Sequence, residues 1–208
     1  MKRHFSLLSL LLAAACSSSE PPRTQPGVNR DTPGIRSFTD EAQFQQAVGG
    51  TTAESFNQSP VGSIPQTTLR LGGVTVTLTL AGGINISGPG FLGFLTNFLS
   101  TGVQDGGNNV VITFPSATRG GGMKLASVFP VTLTATSASG ESRTVTFSAS
   151  LVAFVGFAAD SGLAQIRISS PSDPSHTPIV NIGDISYAAA QISCGIGSPG
   201  SPIRLVTR

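Results

Sequence analysis

The chain has 208 residues, enough for one domain of ordinary size with a remainder for targeting. Charged residues are only 11%, about half the usual share, yet the apolar 39% still suffices for a core, so global disorder is excluded and an extracytoplasmic β protein is favoured over a cytosolic enzyme. Twelve Lys and Arg stand against ten Asp and Glu; without Lys2 and Arg3 the two balance, which leaves no basic surface for nucleic acid.

The first stretch, MKRHFSLLSLLLAAAC, has a basic start, an apolar run from Phe5 to Ala15 and small residues before Cys16. The run falls short of the about 20 residues a spanning helix needs and fits the apolar region of a secretory signal. Ala13-Ala14-Ala15-Cys16 resembles the lipobox of bacterial lipoproteins, although Ala13 stands where that family usually has Leu. The resemblance implies cleavage before Cys16 and a diacylglycerol on its sulfur. Ser17 after the Cys implies sorting to the outer membrane. The alternative is an ordinary Ala-x-Ala cut at Ala13 and Ala15, leaving Cys16 free to pair with Cys194 in an oxidising compartment.

The expected organisation is a signal peptide at 1–15, the lipidated Cys and a tether at 16–36, a β-sandwich at 37–190 and a Gly/Pro/Ser-rich tail at 191–208. Residues 17–36 lack any hydrophobic period and are rich in Pro, Ser and charge, the composition of a linker. FTDEAQFQQAVGG then predicts one short helix, with Thr39 as N-cap, Asp40 and Glu41 in its positive first turn, and Gly49-Gly50 as its stop. Thr52 to Phe56 reads as a strand.

TLRLGGVTVTLTLAGGINIS alternates with period two, its apolar Leu and Val separated by Thr75, Thr77 and Thr79. Gly72-Gly73 shifts the phase by one, as a bulge or turn does. In GPGFLGFLTNFLSTGVQDGG the aromatics Phe91, Phe94 and Phe98 follow helix-like spacing between glycines. They either cap one end of the core or form an exposed ridge that meets a partner or lipid.

NVVITFP is another strand, and KLASVFPVTLTATSASGESRTVTFSAS is a hairpin turning at Ser-Ala-Ser-Gly. Leu151 to Tyr187 reads as three short strands with two turns, its Phe and Ile residues forming a sandwich wall. In total about eight or nine strands are expected, with no alternating helices for a parallel sheet. The fold class is therefore an all-β, antiparallel, jelly-roll-like sandwich with one short N-terminal helix.

The order Phe38 and Phe44, Glu54-Ser55-Phe56 with a Pro60-Val61-Gly62 turn, Phe98 to Gly102 before Ile112-Thr113-Phe114, Phe154 and Phe157, and a closing Ile182-x-x-Ile185-x-Tyr187 resembles the β-sandwich ectodomains of PEP-CTERM and "choice-of-anchor" envelope proteins. The likeness covers about residues 37–190. Two departures are the final SPIRLVTR, in place of that family's sorting signal, and IVNIGDISY, where its usual acidic pair is replaced by Asn181 and Asp184. What the resemblance implies is a scaffold, related jelly rolls of which often bind carbohydrate and sometimes hold a structural calcium ion.

The chemistry of the residues narrows function further. His176, between prolines, is the one histidine after the signal, and no Gly-x-Ser-x-Gly elbow exists to make it a catalytic base. His176 and Cys194 cannot complete a four-ligand zinc site. Asp105, Glu141 and Asp160 sit beside turn glycines and are explained by turn chemistry. Glu54 and Asp184 fall in apolar strand contexts and are the candidate calcium ligands, against the simpler reading of paired or hydrogen-bonded carboxylates.

Phe91, Phe94 and Phe98 are the candidate ligand-binding residues, because a sugar site needs an exposed aromatic face and the chain has no Trp and one Tyr. The expected function is a non-catalytic envelope lipoprotein that binds or supports, attached to the membrane by its N-terminal lipid and facing a polysaccharide or an envelope protein. A carbohydrate-binding module is the alternative, and a hydrolase comes third. In a bacterial host a Cys16→Ser chain should migrate differently from the parent on a gel, having lost its acyl groups; identical migration sinks the lipoprotein assignment.

Overall fold

The computed structural model describes residues 34–79, 84–103, 109–116, 118–170 and 178–189. Cys16, Asp105, His176 and Cys194 lie outside the described residues, and with them the expected signal and anchor, nearly all of the expected tether and the expected tail.

Strand β1 (Ile35–Phe38) opens the domain. It starts two residues ahead of the expected boundary because Ile35 is itself a core residue. Helix α1 (Glu41–Val48) follows, capped by Asp40 rather than Thr39: the Asp40 carboxylate accepts the Gln43 N–H at 2.8 Å. Gly49 ends the helix with φ 84, a conformation glycine adopts without a Cβ clash. Phe44 and Val48 form its buried face.

Next come β2 (Thr52–Glu54), a single 3₁₀ turn at Phe56–Gln58, β3 (Gly62–Ile64), β4 (Thr68–Leu71), β5 (Val74–Leu78), β6 (Ile84–Ser87), β7 (Phe98–Gly102) and β8 (Val110–Thr113). Gly72-Gly73 is the two-residue turn of the β4–β5 hairpin, with Leu71 facing Val74. The last four strands are β9 (Thr118–Ser137), β10 (Ser142–Ala159), β11 (Leu163–Ser169) and β12 (Ile179–Ala189). The strand expected to begin at Leu151 is the second half of β10, so Leu151 to Tyr187 contains one half-strand and two whole ones.

All the pairings are antiparallel, and the two layers of the sandwich are one curled sheet. The first layer runs β3-β6-β7-β12, then the first half of β9, the second half of β10, and β1, with β2 beside the far end of β12. The second runs β4-β5-β8-β11, then the second half of β9 and the first half of β10. Between the halves the β9–β10 register breaks around Ser127 and Ala149, and these irregularities turn the corner.

Leu99, Leu125, Phe157, Ile182 and Ile185 of the first layer meet Val76, Ile112, Leu133, Ile166 and Ile168 of the second in a core sealed from solvent. The Thr residues of β5 and β9 alternate to the outside, where Thr134 and Thr144 share a hydrogen bond at 3.1 Å and Thr68 and Thr77 another at 3.4 Å.

The first half of β9 contains Gly120-Gly121-Gly122 because rings lie on both of its faces. A Cβ at Gly121 would overlap the Phe114 ring on the core side, while one at Gly120 would stand 2.6 Å from Val48 Cγ1 on the helix side. Gly121→Ala should therefore cost about 1–3 kcal/mol in urea unfolding. Gly50→Ala, with open space and ordinary φ, should stay within about 0.5 kcal/mol of the parent; equal effects would refute the packing account.

Candidate functional site

The aromatic loop resolves differently for each of its rings. Phe98 opens β7, a strand hidden from the sequence pattern by its Gly-rich surroundings, and points to the outer face of the first layer. Phe94 stacks on it at 4.6 Å between ring centroids and 18° between planes. Together with Ala126 these two rings form a small second core, 2% and 1% exposed, and cannot offer a face to a sugar. They correct the expectation of three ligand-binding rings: two are packing residues. Phe91 remains outside, 59% exposed, its ring 6.2 Å from Phe98.

The loop is firmly tied. The Gly90 N–H donates to the Phe94 carbonyl at 2.8 Å, the Val152 N–H to the Leu92 carbonyl at 2.9 Å, and the Asn97 N–H to Asn57 Oδ1 at 3.0 Å. Leu92 has φ 52, the one non-glycine residue with positive φ among the described residues, at a cost of about 1–2 kcal/mol. Gly183 lies beneath Phe94, where a Cβ would come within 2.7 Å of the ring.

Asp184 and Glu54 do not converge on a common site. Asp184 accepts the Thr96 hydroxyl at 2.9 Å and pairs with Lys124 at 3.3 Å, which pins the aromatic loop to the outer face. That pair is partly exposed and contributes at most about 1 kcal/mol. Glu54 belongs to β2 and is held from the core side. The Tyr187 hydroxyl and the Gly73 N–H both donate to its Oε1, each at a long 3.4 Å. Residues 184 and 54 thus carry separate structural duties, and among the described residues no group of three His, Cys, Asp or Glu side chains could hold a metal.

Glu54 does wall a cleft that the sequence reading missed. It has a volume of about 470 Å³ and lies between β2 with its 3₁₀ turn and the β3–β4 segment. Ser55, Gln58, Gln66 and Arg70 give it polar sides; Ile64, Leu69 and Leu71 give it apolar ones. Among its described lining residues Glu54 is the single carboxylate. The Glu54 carboxylate also occupies the space a Cβ on Gly72 would need, and Gly72 has φ 52, so both sterics and backbone require glycine there. No sequence motif marks this cleft, because its residues come from four short elements. A smaller cleft of about 140 Å³ lies at the end of α1, lined by Arg36, Arg119 and Asp160 among others.

Comparison with known proteins adds the following. No protein-family model matches the chain, and no curated protein matches it. Among solved structures, a family 29 carbohydrate-binding module complexed with mannohexaose is similar at a TM-score of 0.41 and 12% identity, over 68% of this chain and 94% of that one. Another family 29 module gives 0.40 and 11%, over 68% and 91%. A third structure, complexed with cellulohexaose, gives 0.35 and 14%, over 67% and 93%.

The hydroxyl bonded to Glu54 has a shifted titration. Burial first, then the Glu54 charge and its hydrogen bond, raise the Tyr187 phenol above its ordinary value of 10.0. A raised folded-state value means that this stabilisation is whole below the unfolded value and is lost as pH rises through the folded one. Tyr187 is the only tyrosine and there is no tryptophan, so tyrosinate absorbance reports it alone. Glu54→Gln should move that titration down toward the ordinary value; an unmoved curve would show that the contact is absent in solution.

Proposed function

We propose that this protein is a non-catalytic lipoprotein of the bacterial cell envelope, anchored to the outer membrane through Cys16, that binds a polysaccharide chain in the Glu54–Arg70 cleft. The cleft carries the reading. A sugar presents hydroxyl edges and apolar C–H faces, and the site pairs a carboxylate, two amides and a guanidinium with Ile64, Leu69 and Leu71. A vicinal diol suits the forked geometry of Arg70 and the two-oxygen acceptor of Glu54. The signal-like start and the lipobox-like Ala13–Cys16 support the compartment and the anchor in this reading.

Binding is favoured over hydrolysis by the carboxylate count. Two-carboxylate glycoside cleavage needs a second acid about 5–10 Å from the first, and Glu54 has none among the described lining residues. Among the described lining residues there is no aromatic ring, so on this reading selectivity comes from hydrogen bonds rather than stacking.

The test is affinity electrophoresis and calorimetry against a panel of soluble β- and α-glucans, mannans and peptidoglycan fragments. Arg70→Ala should weaken binding about tenfold by removing a charged hydrogen-bond donor, and Gln66→Ala should weaken it less. Phe91→Ala should leave it unchanged. Retained binding in both cleft variants, or loss in Phe91→Ala alone, would move the site to the aromatic loop; no binding to any member of the panel would end the carbohydrate reading.

A further inference from the structure

One corner of the domain differs from the rest of its surface. Where the β9–β10 register breaks, Ser127 still faces Ala149, so the bulged segments 127–130 and 149–152 lie side by side. The Val152 N–H to Leu92 carbonyl bond sets the loop 88–95 against them. None of the residues in these three segments is charged. Phe91 (59%), Leu95 (89%), Val128 (63%) and Leu151 (66%) stand exposed there, with Pro89 and Pro130 exposed beside them.

The outer face of the second layer is the opposite case. Thr75, Thr77, Thr134 and Thr144 cover it, with Arg167 between them and Arg70 on the edge strand β4, where it also borders the cleft. Apolar exposure is concentrated at the corner rather than spread over the domain, which is the pattern of a contact surface.

We propose that this corner seats in the interfacial region of a phospholipid bilayer, so that the domain lies on the membrane rather than hanging from it. Two observations favour lipid over a protein partner. First, the turn at the tip of the loop bonds part of its backbone within the protein: the Gly90 and Phe94 N–H groups and the Phe91, Leu92 and Phe94 carbonyls. Groups bonded in this way need no water, which suits a loop seated at interfacial depth. The strained Leu92 and the buried Phe94–Phe98 stack hold Phe91 and Leu95 outward from this closed turn.

Second, the chain outside the described residues reaches far enough. Residues 17–33 separate Cys16 from Gly34 and can extend to about 55 Å. Gly34 lies at the Asp160 end of β10, and Leu151 is about 27 Å back along that strand. An anchor at Cys16 therefore permits the corner to meet the same bilayer. The choice of a bilayer rests on the lipid-anchor reading of Cys16, so the test removes the anchor and measures the corner alone.

The probe is a set of vesicles, one of phosphatidylcholine and one of phosphatidylethanolamine with phosphatidylglycerol, mixed with residues 16–208 carrying Cys16→Ser, without the apolar Phe5–Ala15 run. Sedimentation with vesicles is expected on both compositions, since the corner has no charge to prefer anionic lipid. Leu95→Asp and Leu151→Asp should each reduce vesicle partition about tenfold or more. Because the chain has no tryptophan, Leu95→Trp gives a single reporter. Its emission should shift to the blue on binding and be quenched by brominated acyl chains, while Thr144→Trp on the opposite layer should do neither.

An unchanged urea midpoint in Leu95→Asp separates lost docking from lost folding. Vesicle binding indifferent to both Asp variants, or an unshifted Leu95→Trp, overturns the proposal. So does a concentration-dependent dimer, seen by sedimentation without lipid, that the same Asp variants dissolve. Loss of the acyl label at Cys16 with vesicle binding intact would end the anchor reading and leave this one standing.

Discussion

The first half of β9 has to be thin. It pairs with β12 on one side and β10 on the other, while Phe114 covers one of its faces and the Phe44, Val48 and Phe154 side chains cover the opposite one. Four packed surfaces leave no volume for a Cβ at Gly120, Gly121 or Gly122. Gly156 on the neighbouring strand continues the same smooth track, with Phe154 and Phe44 atoms within 3.0 Å of where its Cβ would stand. Glycine is unfavourable in a strand, by its entropy and its lack of a side chain to bury. Here the rings that settle onto the bare backbone supply the buried surface that the strand itself lacks.

This constraint explains which parts of the fold were legible. Alternating Thr and apolar residues in β5 and in the second half of β9 announced strands with one wet face, and the structure has them. Asp40 and Glu41 announced a helix start, missed by one residue at the cap because Thr39 and Asp40 are both capable and only geometry chooses between them. The glycine-rich half of β9 and all of β7 gave no such signal, since a strand flanked or filled by glycine has no period to read. The closing segment misled in another way. Phe154 and Phe157 belong to one long strand whose bend at Ala149 leaves little trace in composition.

The functional residues were less legible still. Glu54 and Asp184 stand out in the sequence as carboxylates in apolar strand contexts, but spacing along a strand that carries a bulge does not say which face each one takes. β12 carries Asp184 outward to Lys124 and Tyr187 inward to Glu54. The phenylalanines looked equivalent in sequence and became a buried pair and one exposed ring. Gln58, Gln66 and Arg70 could not be assembled into a cleft from spacing, because the turn of chain between β3 and β4 that brings them together has no motif of its own.

The strand order also has a consequence for when this chain can fold. Ile35 pairs with Ala159, and Thr52 to Glu54 pair with residues 185–187. Helix α1 rests on β9 and β10 through Gly120 and Ala158. Everything that emerges first from the ribosome or a translocon therefore lacks its partners until nearly the whole chain has followed. Such long-range closure makes folding slow and discourages any stable N-terminal intermediate. A domain with this strand order cannot close on itself from its leading end, so the chain stays threadable until its last strand has followed.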